Sequence, residues 1–140
     1  MNVVFISPHF PPNFYNFVVA AQQAGLNVFG IADTPFEELG SDLRHALTDY
    51  YFVADLHHYG ELVRACGYFT YKYGKIDCLE SHSEYWLEQD ARLREDFNIP
   101  GLRPRDMEPV KRKIRMKQVF IQAGLDVAPG TIVTNVEQAM

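Results

Sequence analysis

Glu80, Ser81 and His82 follow directly on the apolar run 76–79, so they fall at the carboxyl end of a strand, where open α/β sheets hold their ligands. A helix opening just behind them would favour an anion. Ser81 and Glu84 also match the spacing of a capping box, so Ser81 is expected to cap that helix. For Glu80 and His82, substrate contact and a purely structural role both stand. His9 lies in an earlier turn, 7–13, which is placed in the same way after the run 2–7. It is either a ligand contact or a structural histidine. That turn contains no glycine, so a backbone approach to a pyrophosphate is blocked and a plain NAD or FAD domain is not expected.

A third group is basic. A helix over 110–123 places Val110, Ile114, Met116, Val119, Phe120, Ile121 and Ala123 on a broad apolar arc, with Lys111, Arg115, Gln118 and Gln122 on the solvated stripe. Lys113 and Lys117, four apart, fall inside the apolar arc. An unpaired buried ammonium is costly. Either the two stems snorkel along the surface or the two charges face an anion such as phosphate. Elsewhere His57 and His58 follow Asp55, but adjacent side chains point different ways and no third ligand is evident, so no metal site is expected. No Ser/His/Asp or Cys/His grouping can be assembled, which argues against a hydrolase.

These residues need elements to hold them, and the pattern supplies alternating strands and helices. The runs 2–7 and 27–32 are rich in β-branched and aromatic residues, and 50–54 and 76–79 repeat the theme. Between them, Phe14, Phe17, Val18 and Ala21 recur at helical spacing behind a capping Asn13, with Gly25 at the helix end. A short helix over 41–47 and a longer one marked by Leu62, Cys66, Phe69 and Tyr73 follow. Trp86, Leu93 and Phe97 line up on a helix after Ser81. Continuous apolar strands imply burial on both faces, and right-handed crossovers then leave a Rossmann-like open parallel sheet, an α/β fold. Residues 99–109, with Pro100, Gly101, Pro104 and Pro109, read as a helix-resisting linker. The expected division is thus 1–103 and 104–140, with a last strand over 131–134 and an incipient helix at 135–140. An element begun and not finished suggests a truncated chain.

Composition narrows the function classes. A net charge of −5 gives no electrostatic reason for nucleic acid or an anionic membrane as partner. No apolar run approaches the ~20 residues of a bilayer span, and no signal-peptide pattern opens the chain, so a cytoplasmic protein is expected. Cys66 and Cys78, without CxxC spacing, read as reduced buried thiols.

The stretch from Lys113 to Gly130, with Lys117, the ending Ala123-Gly124 and then Pro129-Gly130, resembles the opening of an ATP-grasp domain as found in biotin carboxylase and the carbamoyl phosphate synthetase large chain. Residues 80–88, Glu-Ser-His-Ser-Glu-Tyr-Trp-Leu-Glu, resemble a strand-end segment of carboxylate–amine ligase-like members. The resemblance implies that 1–103 is a pre-ATP-grasp domain and that 104–140 begins the ATP-grasp domain proper. It implies that Lys113 contacts nucleotide phosphates and that Glu80, with His82 and His9, lies on the substrate side; the role of Lys117 stays open. The full-length protein would use ATP and Mg²⁺ to activate a small-molecule carboxylate as an acyl phosphate for attack by an amine. The family's second ATP lysine, adenine hinge and Mg²⁺ ligands come later than Met140. The chain alone is therefore expected to be inactive and to bind neither cofactor tightly. Apolar surface left by absent lobes could drive homo-oligomerisation. A stand-alone small-ligand-binding or regulatory α/β module is the alternative.

Overall fold

In a computed structural model of the chain, describing residues 1–130, 133 and 135, four apolar runs pair side by side in one sheet. They are β1 (Asn2–Ile6), β2 (Asn27–Ala32), β3 (Asp49–Phe52) and β4 (Cys78–Glu80). The order is β3-β2-β1-β4 and every pairing is parallel. Parallel neighbours cannot be joined by a tight turn, so helices cross between them: α1 (Tyr15–Gln23), α2 (Ser41–Ala46) and α3 (Tyr59–Tyr73), with α4 (Leu87–Asp96) following β4. The fold is Rossmann-like α/β, as the strand pattern predicts.

Strand periodicity sorts the core into two layers. Val4, Ile6, Phe29 and Ile31 face α3 and α4 and pack with Leu62, Cys66, Phe69 and Leu93. Val3, Phe5 and Val28 point the other way, against Val18 of α1 and Leu43 of α2. Phe29 is the centre of the first layer, stacked on Phe69 at 4.8 Å and Tyr73 at 4.6 Å between ring centroids. Trp86 and Phe97 join this layer, in keeping with their spacing. Cys66 is buried, and burial pushes its thiol up to about 12; Cys78 is only half-buried, and both are free.

Gly30 lies mid-strand in β2 because its neighbours leave no room for more. A Cβ there would lie 2.9 Å from Tyr50 Cδ2 and 3.2 Å from a Leu47 methyl. Both are side-chain atoms that can yield, so Gly30→Ala should cost about 1 kcal/mol, the crowding being partly offset by a less flexible unfolded chain. A fall in the urea midpoint at unchanged slope would register it.

Three sequence expectations need correction. Asn13 does not cap α1: Phe14 occupies that position without a side-chain bond, while the Asn13 carbonyl accepts from Asn16 Nδ2 at 2.9 Å. The capping box at Ser81 does not form either. Ser83 takes the cap, accepting from the Tyr85 N–H at 3.3 Å, because the Ser81 hydroxyl is engaged by Asp90 Oδ2 at 2.6 Å. Finally, the linker ends early and the basic helix is two helices, α5 (Met107–Lys111) and α6 (Lys113–Gln122). Pro109 falls in the first turn of α5, where its missing N–H leaves no bond unmade. Arg112, at φ −99° and ψ 105°, turns the chain out of helix between them, and Arg115 Nε pairs across the break with Glu108 at 3.2 Å.

The chain divides into two units, Met1–Pro104 and Arg105–Met140. In the second, α6 has no buried residue, and Val119, Phe120 and Ile121 are exposed, so the apolar arc of the sequence is an open face. The strand expected over 131–134 and the helix start at 135–140 lie outside the described residues, apart from Val133 and Asn135. No helix among the described residues is long and apolar enough to cross a membrane.

Candidate functional site

The chain builds the sheet outward from β1 through β2 to β3, then returns to the opposite side of β1 to lay down β4. The strand order therefore reverses between β1 and β4, and the crevice beyond their carboxyl ends is where such sheets place ligands. The loops after these two strands form its walls. Each carries a non-glycine residue in the left-handed region, Ser7 at φ 52° and His82 at φ 55°. Such backbone costs on the order of 1 kcal/mol or more per residue and persists where surrounding packing over-determines it.

Packing does so at His82. Its ring stacks on Phe17 at 4.5 Å, meets Phe14 edge-on at 5.8 Å and tilts against Phe5 at 5.3 Å. Burial depresses its pKa against the opposing pull of Glu80, so the ring is neutral at physiological pH. Its Nε2 is buried with no hydrogen-bond partner among the described residues.

Glu80, at the last position of β4, is gripped from below. Arg94 of α4 is 4% exposed and extends its guanidinium along the strand edge. Nε and Nη2 donate to the Leu79 carbonyl at 3.1 and 2.7 Å, and Nη2 also reaches Glu80 Oε2 at 3.0 Å. The Glu80 side chain remains 43% exposed, so Arg94 does not cover the whole carboxylate. Behind it, Asp90 is fully buried against Ser81, and its Oδ1 has no hydrogen-bond partner among the described residues. Burial pushes Asp90 up to about 6 despite the Ser81 bond and the Arg94 charge.

Glu80 and His82 thus stand at the carboxyl end of β4, whereas His9, although on the neighbouring loop after β1, turns its ring toward β2 and α2. His9 Nε2 lies 3.1 Å from Thr34 Oγ1, in the loop after β2. It lines an open cleft of about 320 Å³ with Pro12, Tyr15 and residues 40–43, none of which is Glu80 or His82. Burial lowers its pKa too, against the raising effect of Asp33. In the second unit, Lys113 opens α6 and is exposed. Lys117 is half-buried and donates to the carbonyls of Ala128 at 2.7 Å and Pro129 at 3.4 Å. Its charge is therefore used to hold the turn after α6, which neither sequence alternative foresaw. Arg94 and Asp90 went unread as well. The signal for them was present: Leu87, Asp90, Ala91 and Arg94 share one stripe of α4, so two charges lie on its inward face. Among the described residues no group of three His, Cys, Asp or Glu side chains could hold a metal ion.

The chain matches no protein-family model and no curated protein. Among solved structures it is similar to the L-amino acid ligase from Bacillus licheniformis, with a TM-score of 0.65 at 20% identity over 90% of this chain. The match takes in 31% of that ligase, so the chain spans about a third of its length and the two share a fold over that part.

Proposed function

We propose that this chain is the nucleotide-fold, substrate-side portion of an ATP-dependent ligase of the ATP-grasp family, joining a small carboxylate to an amine. The observation that carries the reading is the fold shared with an amino acid ligase over 90% of the chain. Two local features agree with it: the reversal-point crevice with its strained Ser7 and His82, and the segment from Lys113 to Gly130.

In this reading the crevice receives substrate. The open face of Glu80 accepts hydrogen bonds from an ammonium or hydroxyl, and Arg94 keeps that carboxylate in one orientation. The neutral His82 ring and Phe17 supply an aromatic wall. Lys113, exposed at the first position of α6 beside unpaired helix N–H groups, suits a phosphate group. ATP, when bound, supplies the phosphoryl group that activates the carboxylate. In this reading the ATP-grasp lobes of the full-length protein hold Mg²⁺.

The test is ATP turnover by the full-length gene product. ADP release is expected only with a carboxylate and an amine both present, and Lys113→Ala should raise the KM for ATP about tenfold. ADP release that ignores both substrates would remove the ligase assignment.

A further inference from the structure

Away from the crevice interior, three side chains form a hydrogen-bonded line that the proposed ligase does not use. Asp55 Oδ1 accepts from both the backbone N–H of His57 and its ring, each at 2.8 Å. The other ring nitrogen, Nε2, lies 2.8 Å from the Tyr85 hydroxyl. The bonds to His57 hold the Asp55 carboxyl below its usual range, so it is an ionised acceptor. An ionised carboxylate takes the proton at Nδ1, and in the neutral imidazole this leaves a lone pair at Nε2. In that tautomer Tyr85 donates to Nε2. The order carboxylate, imidazole, hydroxyl is the arrangement by which a weak nucleophile is activated by an adjacent base that a third group orients.

The ring is fixed from other sides as well. Trp86 tilts against His57 at 5.0 Å, the Tyr85 ring meets it edge-on at 5.7 Å, and Gln89 Nε2 donates to the His57 carbonyl at 3.3 Å. The line is open to reagents: Tyr85 is 65% exposed, and the His57 and Asp55 side chains are 60% and 57% exposed.

We propose that Tyr85 is a base-activated phenol, a site that takes an acyl group from activated carboxyl donors such as aryl esters. Tyr85 Oη forms a bond to the acyl carbon while the bond from that carbon to the aryloxy oxygen breaks. The phenolic proton passes to His57 Nε2 and from there to the departing aryloxide. Asp55, a positioning residue, holds the tautomer and balances the transient imidazolium. An ordinary phenol has only about one molecule in a thousand ionised at pH 7, so an adjacent base makes a large difference. The chemistry is independent of the ligase reading.

The molecule contains its own control. Tyr71 is 93% exposed, more open than Tyr85. The full chain is treated at neutral pH with p-nitrophenyl acetate, and acetylation of each tyrosine is followed by peptide mass spectrometry. Tyr85 should react at least about tenfold faster than Tyr71. In His57→Gln its rate should drop to that of Tyr71 or below. In Asp55→Ala, nitrogen NMR of the imidazole should show the proton moving from Nδ1 to Nε2 as the Tyr85 rate falls. Tyr71 reacting first overturns the proposal, as does a Tyr85 lead that survives in His57→Gln or Asp55→Ala.

Discussion

Replacing Arg94 by methionine lowers the folding stability of the chain by about 3 kcal/mol, a loss read directly from the shift in its urea midpoint. Methionine keeps most of the stem's apolar contact, so the loss isolates the guanidinium. Its first task is the Leu79 carbonyl, which accepts two bonds from it. β4 is an edge strand, and without Arg94 that buried acceptor loses both. Its second task is Glu80, whose carboxylate can return partly to water because the side chain is 43% exposed. That limits the loss to the low end of the range for breaking a buried pair. The stem also fills the space over Gly101, where φ is 131° and a Cβ would lie 2.8 Å from Arg94 Cδ. One side chain thus joins the edge of β4, the Glu80 carboxylate and the exit of α4, and its removal should loosen all three together.

Asp90→Asn, in contrast, stabilises the chain at pH 7.5, by about 2 kcal/mol. The ordinary value for the carboxyl is 3.8, and burial raises it to about 6 in the fold. The folded state therefore binds more protons than the unfolded chain between these values, and stability falls as pH rises through that window. Two units correspond to about 3 kcal/mol lost above pH 6, of which the amide recovers most, since it is never ionised. As pH falls toward 3.8 and below, the acid becomes neutral in both states and the advantage of the variant should shrink toward zero. Asp49 has the opposite sign. Burial raises its pKa, but bonds from Lys72, Tyr73, the Tyr50 N–H and Tyr68 outweigh it and hold the carboxyl low, so its stabilisation is lost on acidification. Urea titrations of both proteins from pH 4 to 8 separate the two, because Asp49 is common to both. A constant difference across that range would mean that Asp90 is not the titrating group.

The architecture was legible where local signals agree. Uninterrupted apolar runs give β1 and β2, and the spacing of Leu62, Cys66, Phe69 and Tyr73 gives α3, because burial on both faces leaves a one-dimensional trace. β4 begins two residues later than its apolar run suggests. Ile76 is buried before the strand, while Asp77 turns back to bond Asn2 N–H. The two caps fail separately: the Ser81 hydroxyl is claimed by Asp90, nine positions on, while Asn13 lies one residue ahead of the cap position that Phe14 takes. The break at Arg112 carries neither proline nor glycine and left no trace. For the candidate site, position in the sequence was enough to place Glu80 and His82 at the carboxyl end of β4, since strand ends follow from the apolar runs. It was not enough to separate His9 from them, because its loop also follows a crevice strand and only the bond to Thr34, in the loop after β2, turns the ring away. Nor could periodicity show that His57 and Tyr85, 28 positions apart, would meet.

The pairing of β4 with β1 has a consequence in time. Cys78 lies 75 positions beyond its partner Val3, whereas Val28 lies 25 beyond it. On a ribosome adding about 5–20 residues per second, β1 meets β2 within a few seconds, but one of its edges waits roughly 4–15 s for β4 to be made. That edge is the one flanking the crevice. The β4 side of the crevice is therefore the last part of this four-stranded sheet to come into being, and the apolar flank of β1 needs shelter until it does.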